Sequence, residues 1–179
     1  RDRSPSRGLG DVYKRQLLHT IGDFERISDH AVNVMQAAKE IEEKKAPLSP
    51  EGLAEIKVAT AAIREIMEIA IKAFDENNLE LAYRVEPLEQ VVDGIIEGIK
   101  LNHINRLQAG KCTIQQGFVL SDILTNYERV SDHCSNIAVA MIELSKSAFD
   151  THEYLDKLKT MDDPEFRKMF TEYKKKYAI

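Results

Sequence analysis

The chain has 179 residues, 43% of them hydrophobic and 31% charged, which suits one domain with its own core and excludes a disordered chain. The net charge of −5 is uneven: residues 1–16 carry +3 and the remainder −8, an acidic body that excludes nucleic-acid binding through Lys and Arg on phosphates. Cys112 and Cys134 make neither a disulfide framework nor a zinc spacing, and no apolar run approaches the roughly 20 residues of a membrane span. A soluble, intracellular chain in a reducing compartment is expected.

Residues 1–16, RDRSPSRGLGDVYKRQ, show no period of 3.6 or 2 and lack the apolar stretch of a signal peptide. They read as a non-native or disordered segment, in the manner of a translated adaptor. Periodicity begins at Leu17. A first helix is expected over 17–45, with Phe24, Ile27, Ala31, Val34, Ala38 and Ile41 as its seam and Pro47 beyond its end. Ser49 and Pro50 then cap and open a second helix to about Phe74, with Leu53, Ile56, Ile63, Met67, Ala70 and Phe74 on one stripe. Asn77-Asn78 marks a turn. A third helix over 79–108 carries Leu81, Val85, Leu88, Val92, Ile95 and Ile99, and Pro87 kinks it or marks a new start. Gly110 closes it, and Thr113 with Gln116 forms a capping box for a fourth helix over 113–147. Its seam is Ile123, Tyr127, Val130, Cys134, Ile137, Met141 and Leu144. Residues 150–179 form a charged tail with a helix from Asp163-Pro164 to Lys176. The expected fold is all-α, an antiparallel bundle of long helices joined by short turns.

An internal repeat organises the chain. Residues 23–34, DFERISDHAVNV, and residues 126–137, NYERVSDHCSNI, share six of twelve positions at an offset of 103. A unit of that length ending in the motif helix comprises three helices over 50–147. The helix at 17–45 then reads as the last helix of a preceding repeat whose first two helices are absent.

Each repeat holds two carboxylates four residues apart, Glu25 with Asp29 and Glu128 with Asp132, projecting from one helix face. Glu128 and Asp132 share their side with Ser121, Ser131 and Ser135, small residues that allow a close approach. Glu86, Glu89 and Asp93, extended by Glu97, make a second acidic stripe on the third helix. Clustered carboxylates raise one another's pKa, and a hard cation relieves that penalty with an oxygen-only donor set. The acids equally suit a solvated helix face. Catalytic arrangements are missing. The residues three before the five histidines are Gln16, Ile27, Lys100, Val130 and Phe149, so the Glu-x-x-His pairs of a di-iron bundle do not occur. HExxH and glycine-rich phosphate loops are also absent, and Cys134 falls in the seam as a small core residue.

ERISDHAVNV and ERVSDHCSNIAV resemble the PhoU family, whose tandem three-helix units each carry an E/DxxxD motif. EPLEQVVDGI, NHINRLQAGKCTIQQGF and DDPEFRKMFTEYKKKYAI are similar to the cytoplasmic PhoU-like tail of bacterial Na+/phosphate cotransporter family proteins. The resemblance covers residues 17–179. It implies a regulatory, non-enzymatic domain in phosphate uptake and homeostasis, on the cytoplasmic side of a parent protein in the bacterial inner membrane. The membrane transporter portion of that parent is the implied partner, with self-association as a further expectation. The family's motifs can hold iron or zinc clusters, which places candidate metal ligands at Glu25, Asp29, Glu128, Asp132, Glu86, Glu89 and Asp93. A metal-free helical scaffold or dimerisation module is the alternative, and a carboxylate-metal hydrolase a third reading.

Overall fold

A computed structural model describes residues 5–45, 47–146 and 163–179, with side chains over 13–45, 47–145 and 163–179. Among the described residues all regular structure is helical: α1 (Pro5–Glu43), α2 (Pro50–Asp75), α3 (Leu79–Ala82), α4 (Val85–Gln108), α5 (Ile114–Lys146) and α6 (Pro164–Lys176). Residues 147–162, which include much of the charged tail, lie outside the described residues.

The helix ends follow from local chemistry. Ser49 Oγ accepts from the Gly52 amide at 3.1 Å, with Pro50 at the first helical position, where its missing N–H costs nothing. Asn77 turns the chain at a φ of 49°, and Asn78 caps α3 by accepting from the Leu81 amide. The expected third helix is two helices, broken at Tyr83-Arg84, and Pro87 sits in the first turn of α4, where a proline is tolerated. Gly110 takes a φ of 67° after α4, a left-handed conformation that glycine adopts without strain. The capping box forms as read: the Thr113 amide donates to Gln116 Oε1 at 2.8 Å, and the Gln116 amide donates to Thr113 Oγ1 at 3.2 Å. Gln116 also donates to the Pro47 carbonyl, tying the start of α5 to the α1–α2 connection.

The core sits between α2, α4 and α5. Ile66, Leu88, Ile96, Ile99, Leu124 and Ile137 are fully buried, and Cys134 lies among the core residues as the seam implied. The tail helix docks on α4, with Tyr173 in the core cluster and Phe170 packed against it. Beyond α6, Ile179 reaches 3.0 Å from where a Cβ on Gly98 would stand, so that glycine makes room for it. Lys176 and the Tyr177 hydroxyl both bond Glu65 on α2.

The first helix departs from expectation in two ways. It does not start at Leu17 but runs back to Pro5, because extending an existing helix avoids the cost of a new nucleus. Its seam also shifts. Ile27 and Ala37 are buried, Phe24, Val34 and Ile41 partly so, while Ala31 and Ala38 face outward. α1 packs chiefly on one neighbour, α5, so its buried stripe is narrow, and Leu18, Ile21, Val32 and Met35 stay exposed.

Candidate functional site: an acidic groove between two antiparallel helices

Antiparallel packing of α4 on α5 sets their acidic stripes face to face. Asp93 on α4 is partly buried, and its Oδ1 is a buried atom with no hydrogen-bond partner. Burial pushes its carboxyl up to about 6, reinforced by the charges of Asp132, Glu128, Glu97 and Glu86 in that order. Asp132 is raised too, first by burial and then by Glu128, against the lowering effect of Arg129 and His133. Two contacts temper the cluster. Ser135 donates to Glu86 Oε2 at 2.7 Å, and Lys100 Nζ lies 3.4 Å from Glu128 Oε2. Ser131, on the same α5 stripe, is wholly buried with an unpartnered hydroxyl.

Of the acids singled out from sequence, the groove therefore unites Glu86, Asp93, Glu128 and Asp132, while Glu89 lies partly buried on α4. Glu25 and Asp29 lie exposed on α1. Among the described residues no three His, Cys, Asp or Glu side chains converge closely enough to hold a metal ion. The donor set suits a hard cation in kind, being all oxygen and partly desolvated, but its side chains are not drawn together into a coordination shell.

The rest of the repeat serves a different purpose, which sequence reasoning missed. His133 Nδ1 on α5 donates to Asp23 Oδ1 on α1 at 2.9 Å, and His30 Nδ1 on α1 donates to Asn126 Oδ1 on α5 at 2.8 Å. Asn136 donates to Asp23 and Asn33 to Asn126, at 3.4 and 3.1 Å. The offset of 103 maps each bond onto its counterpart, so the two motif helices cross about a local pseudo-twofold axis. The two imidazoles stack at that crossing, 5.7 Å between centroids. The duplicated block thus codes two faces of one helix: Asp/Asn, His and Asn for the sister helix, Glu and Asp for the groove. The signal was present in Asp/Asn-x6-His-x2-Asn, at fixed spacing in both copies.

At the far end of the groove's helices, Arg106 bonds Glu55 through two nitrogens at 2.9 and 2.8 Å, and Asn102 donates to the same carboxylate at 2.8 Å. No helix among the described residues is long and apolar enough to cross a membrane.

These features define an all-α bundle built from a duplicated motif helix, with an acidic groove facing its own unit. Residues 57–141, from within α2 to within α5, match the family model of the PhoU domain; the chain carries a PhoU-like domain. Similar curated proteins include a phosphate-specific transport system accessory protein PhoU homolog from Thermotoga maritima, 29% identical over 133 residues, 73% of this chain and 56% of the relative. Homologs from Clostridium acetobutylicum and Pseudomonas aeruginosa are 25% and 26% identical over 69% and 76% of this chain, covering 55% and 56% of their own lengths. The chain spans about half the length of the curated relatives it matches. No solved structure matches it.

Proposed function

We propose that this chain is a regulatory, non-catalytic domain in the control of phosphate uptake, acting by association with a phosphate transporter. The observation that carries this reading is the PhoU-domain match across the helices that build the groove, with relatives named as accessory proteins of phosphate-specific transport systems. The finer proposal places it as the cytoplasmic portion of a Na+/phosphate cotransporter in the bacterial inner membrane, on the resemblance of EPLEQVVDGI and NHINRLQAGKCTIQQGF to such tails. Phosphate uptake by bacterial cells making this transporter, with and without the chain supplied, tests the reading. The chain should change the initial uptake rate, and unaltered uptake at equal transporter levels would overturn it.

Metal binding is part of the proposal, with iron or zinc as the cation. Bound metal would supply positive charge against the mutual repulsion of Asp93, Asp132 and Glu128, and Glu86 would add a fourth carboxylate. Glu89 sits on the same helix. Glu25 and Asp29 are candidate ligands of a second site, but among the described residues no acidic helix stands opposite them. Elemental analysis after reconstitution distinguishes the two: Asp132→Asn should lose most bound metal and Asp29→Asn little. Equal retention by both variants would overturn this assignment of the site.

The second reading, a metal-free scaffold, is favoured by a specific observation. Lys100 and Ser135 already engage Glu128 and Glu86, so part of the acidic charge is answered within the protein. Absence of metal from the reconstituted parent protein would make that reading lead.

A further inference from the structure

Outside the groove, the turn joining α4 to α5 gathers a thiol, an imidazole and a guanidinium. Cys112 is partly exposed there, with Sγ 3.6 Å from His103 Nδ1 and 3.9 Å from Nε2, so the sulfur rests against the ring. The ring has a built seat. A Cβ on Gly117 would come within 2.6 Å of His103 Nε2, so the glycine leaves the space in which the imidazole lies against α5, and a larger residue there would make the ring shift. Arg106, one turn along α4 from His103, is anchored by its two bonds to Glu55, and its positive charge couples to Cys112. Burial, and then the Arg106 charge, hold His103 below the ordinary histidine value, so the imidazole takes a proton only transiently, as the sulfur attacks. The second thiol, Cys134, is sealed in the core and pushed up to about 12 by burial. The two cysteines are therefore chemically distinct.

We propose that Cys112 is a thiol-modification site, with His103 as its base, that exchanges with low-molecular-weight disulfides to form a mixed disulfide. The thiol proton passes to His103, and the Cys112 sulfur attacks one sulfur of the small disulfide. The new S–S bond forms as the old one breaks, and the departing thiolate takes the proton back from the imidazolium as a free thiol. The protein thiol is oxidised and the small disulfide reduced, with no further reactant. Arg106 favours the negative charge that Cys112 carries as its proton leaves, before attack passes that charge to the departing sulfur.

The test uses the full chain with oxidised glutathione at pH 7 and peptide mapping by mass spectrometry, with the urea-unfolded chain as reference. Cys112 in the folded chain should react about tenfold faster than in the unfolded chain, and Cys134 should stay unmodified. His103→Gln removes the base and should slow Cys112 by about tenfold or more. Gly117→Ala, which leaves the histidine in place but displaces its ring, should slow it as well, and covers the case in which His103→Gln fails to fold. A folded-chain rate within about twofold of the unfolded reference, or folded variants that react as fast as the parent, would overturn the proposal.

Discussion

Asp93 is a carboxyl that burial and neighbouring negative charge push in the same direction. Its carboxyl, raised to about 6, keeps a proton in the folded chain over a pH range where the unfolded chain has already lost its own. The sign follows: stability falls as pH rises from about 4 to about 6, and the full penalty persists above that window. Asp93→Asn removes the charge and keeps the shape. The variant should be more stable than the parent at pH 7.5 by about 1–2 kcal/mol, allowing for solvent screening, and equal to it near pH 3.5. Urea midpoints at the two pH values check this, and an equal gap at both would point to packing instead. The acids themselves were legible in the sequence, because Glu86, Asp93, Glu128 and Asp132 recur at helical spacing on two helices that a short turn makes antiparallel. Lys100 was not, and Ser135 was legible only as a small residue on that side, not as the donor to Glu86. Which neutralising partner meets a carboxylate depends on the axial stagger of two helices, and no residue spacing within one helix encodes that.

Among the elements, those with strong local chemistry match their expected bounds. Ser49-Pro50, Thr113 with Gln116, and Asp163-Pro164 each name a helix start, and α2, α5 and α6 begin there. α1 was read less well, since a seam of threes and fours assumes neighbours on a broad face, while α1 has one main neighbour. Long-range contacts between elements were invisible for the same reason. The pair between Arg106 on α4 and Glu55 on α2 is the clearest case: the side chains are 12% and 13% exposed, and 51 residues separate them. Arg106→Ala would leave Glu55 desolvated and facing only Asn102, at a cost of about 3 kcal/mol. Adding Glu55→Gln should recover part of that loss, because the stranded charge is then gone. A denaturation series on the two single variants and the double variant measures both effects. A double variant no more stable than Arg106→Ala would place the cost in lost arginine packing.

The whole molecule divides into a well-knit body of α2–α6 and an outlying α1 held by a duplicated code. Buried side chains on α1 among the described residues are Thr20, Ile27 and Ala37, against eight buried positions on α4. Its apolar stripe, Ile27 and Ala37 with the partly buried Phe24, Val34 and Ile41, is narrow and rests chiefly on α5, so the Asp23–His133 and Asn126–His30 bonds carry a substantial share of its attachment. Native-state hydrogen exchange should show α1 opening at a lower free energy than α4 and α5, as a separate cooperative unit. Asp23→Ala leaves His133 without its carboxylate partner and should lower the protection of α1 by about 1–2 kcal/mol while leaving that of α4 unchanged. Asn126→Ala cuts the pseudo-symmetric bond from the α5 side, and the repeat predicts that its effect also falls on α1 despite the substitution lying in α5. Loss of protection spread evenly over all helices in either variant would mean that α1 and the body unfold as one unit, and that the duplicated motif does not fasten a separable element.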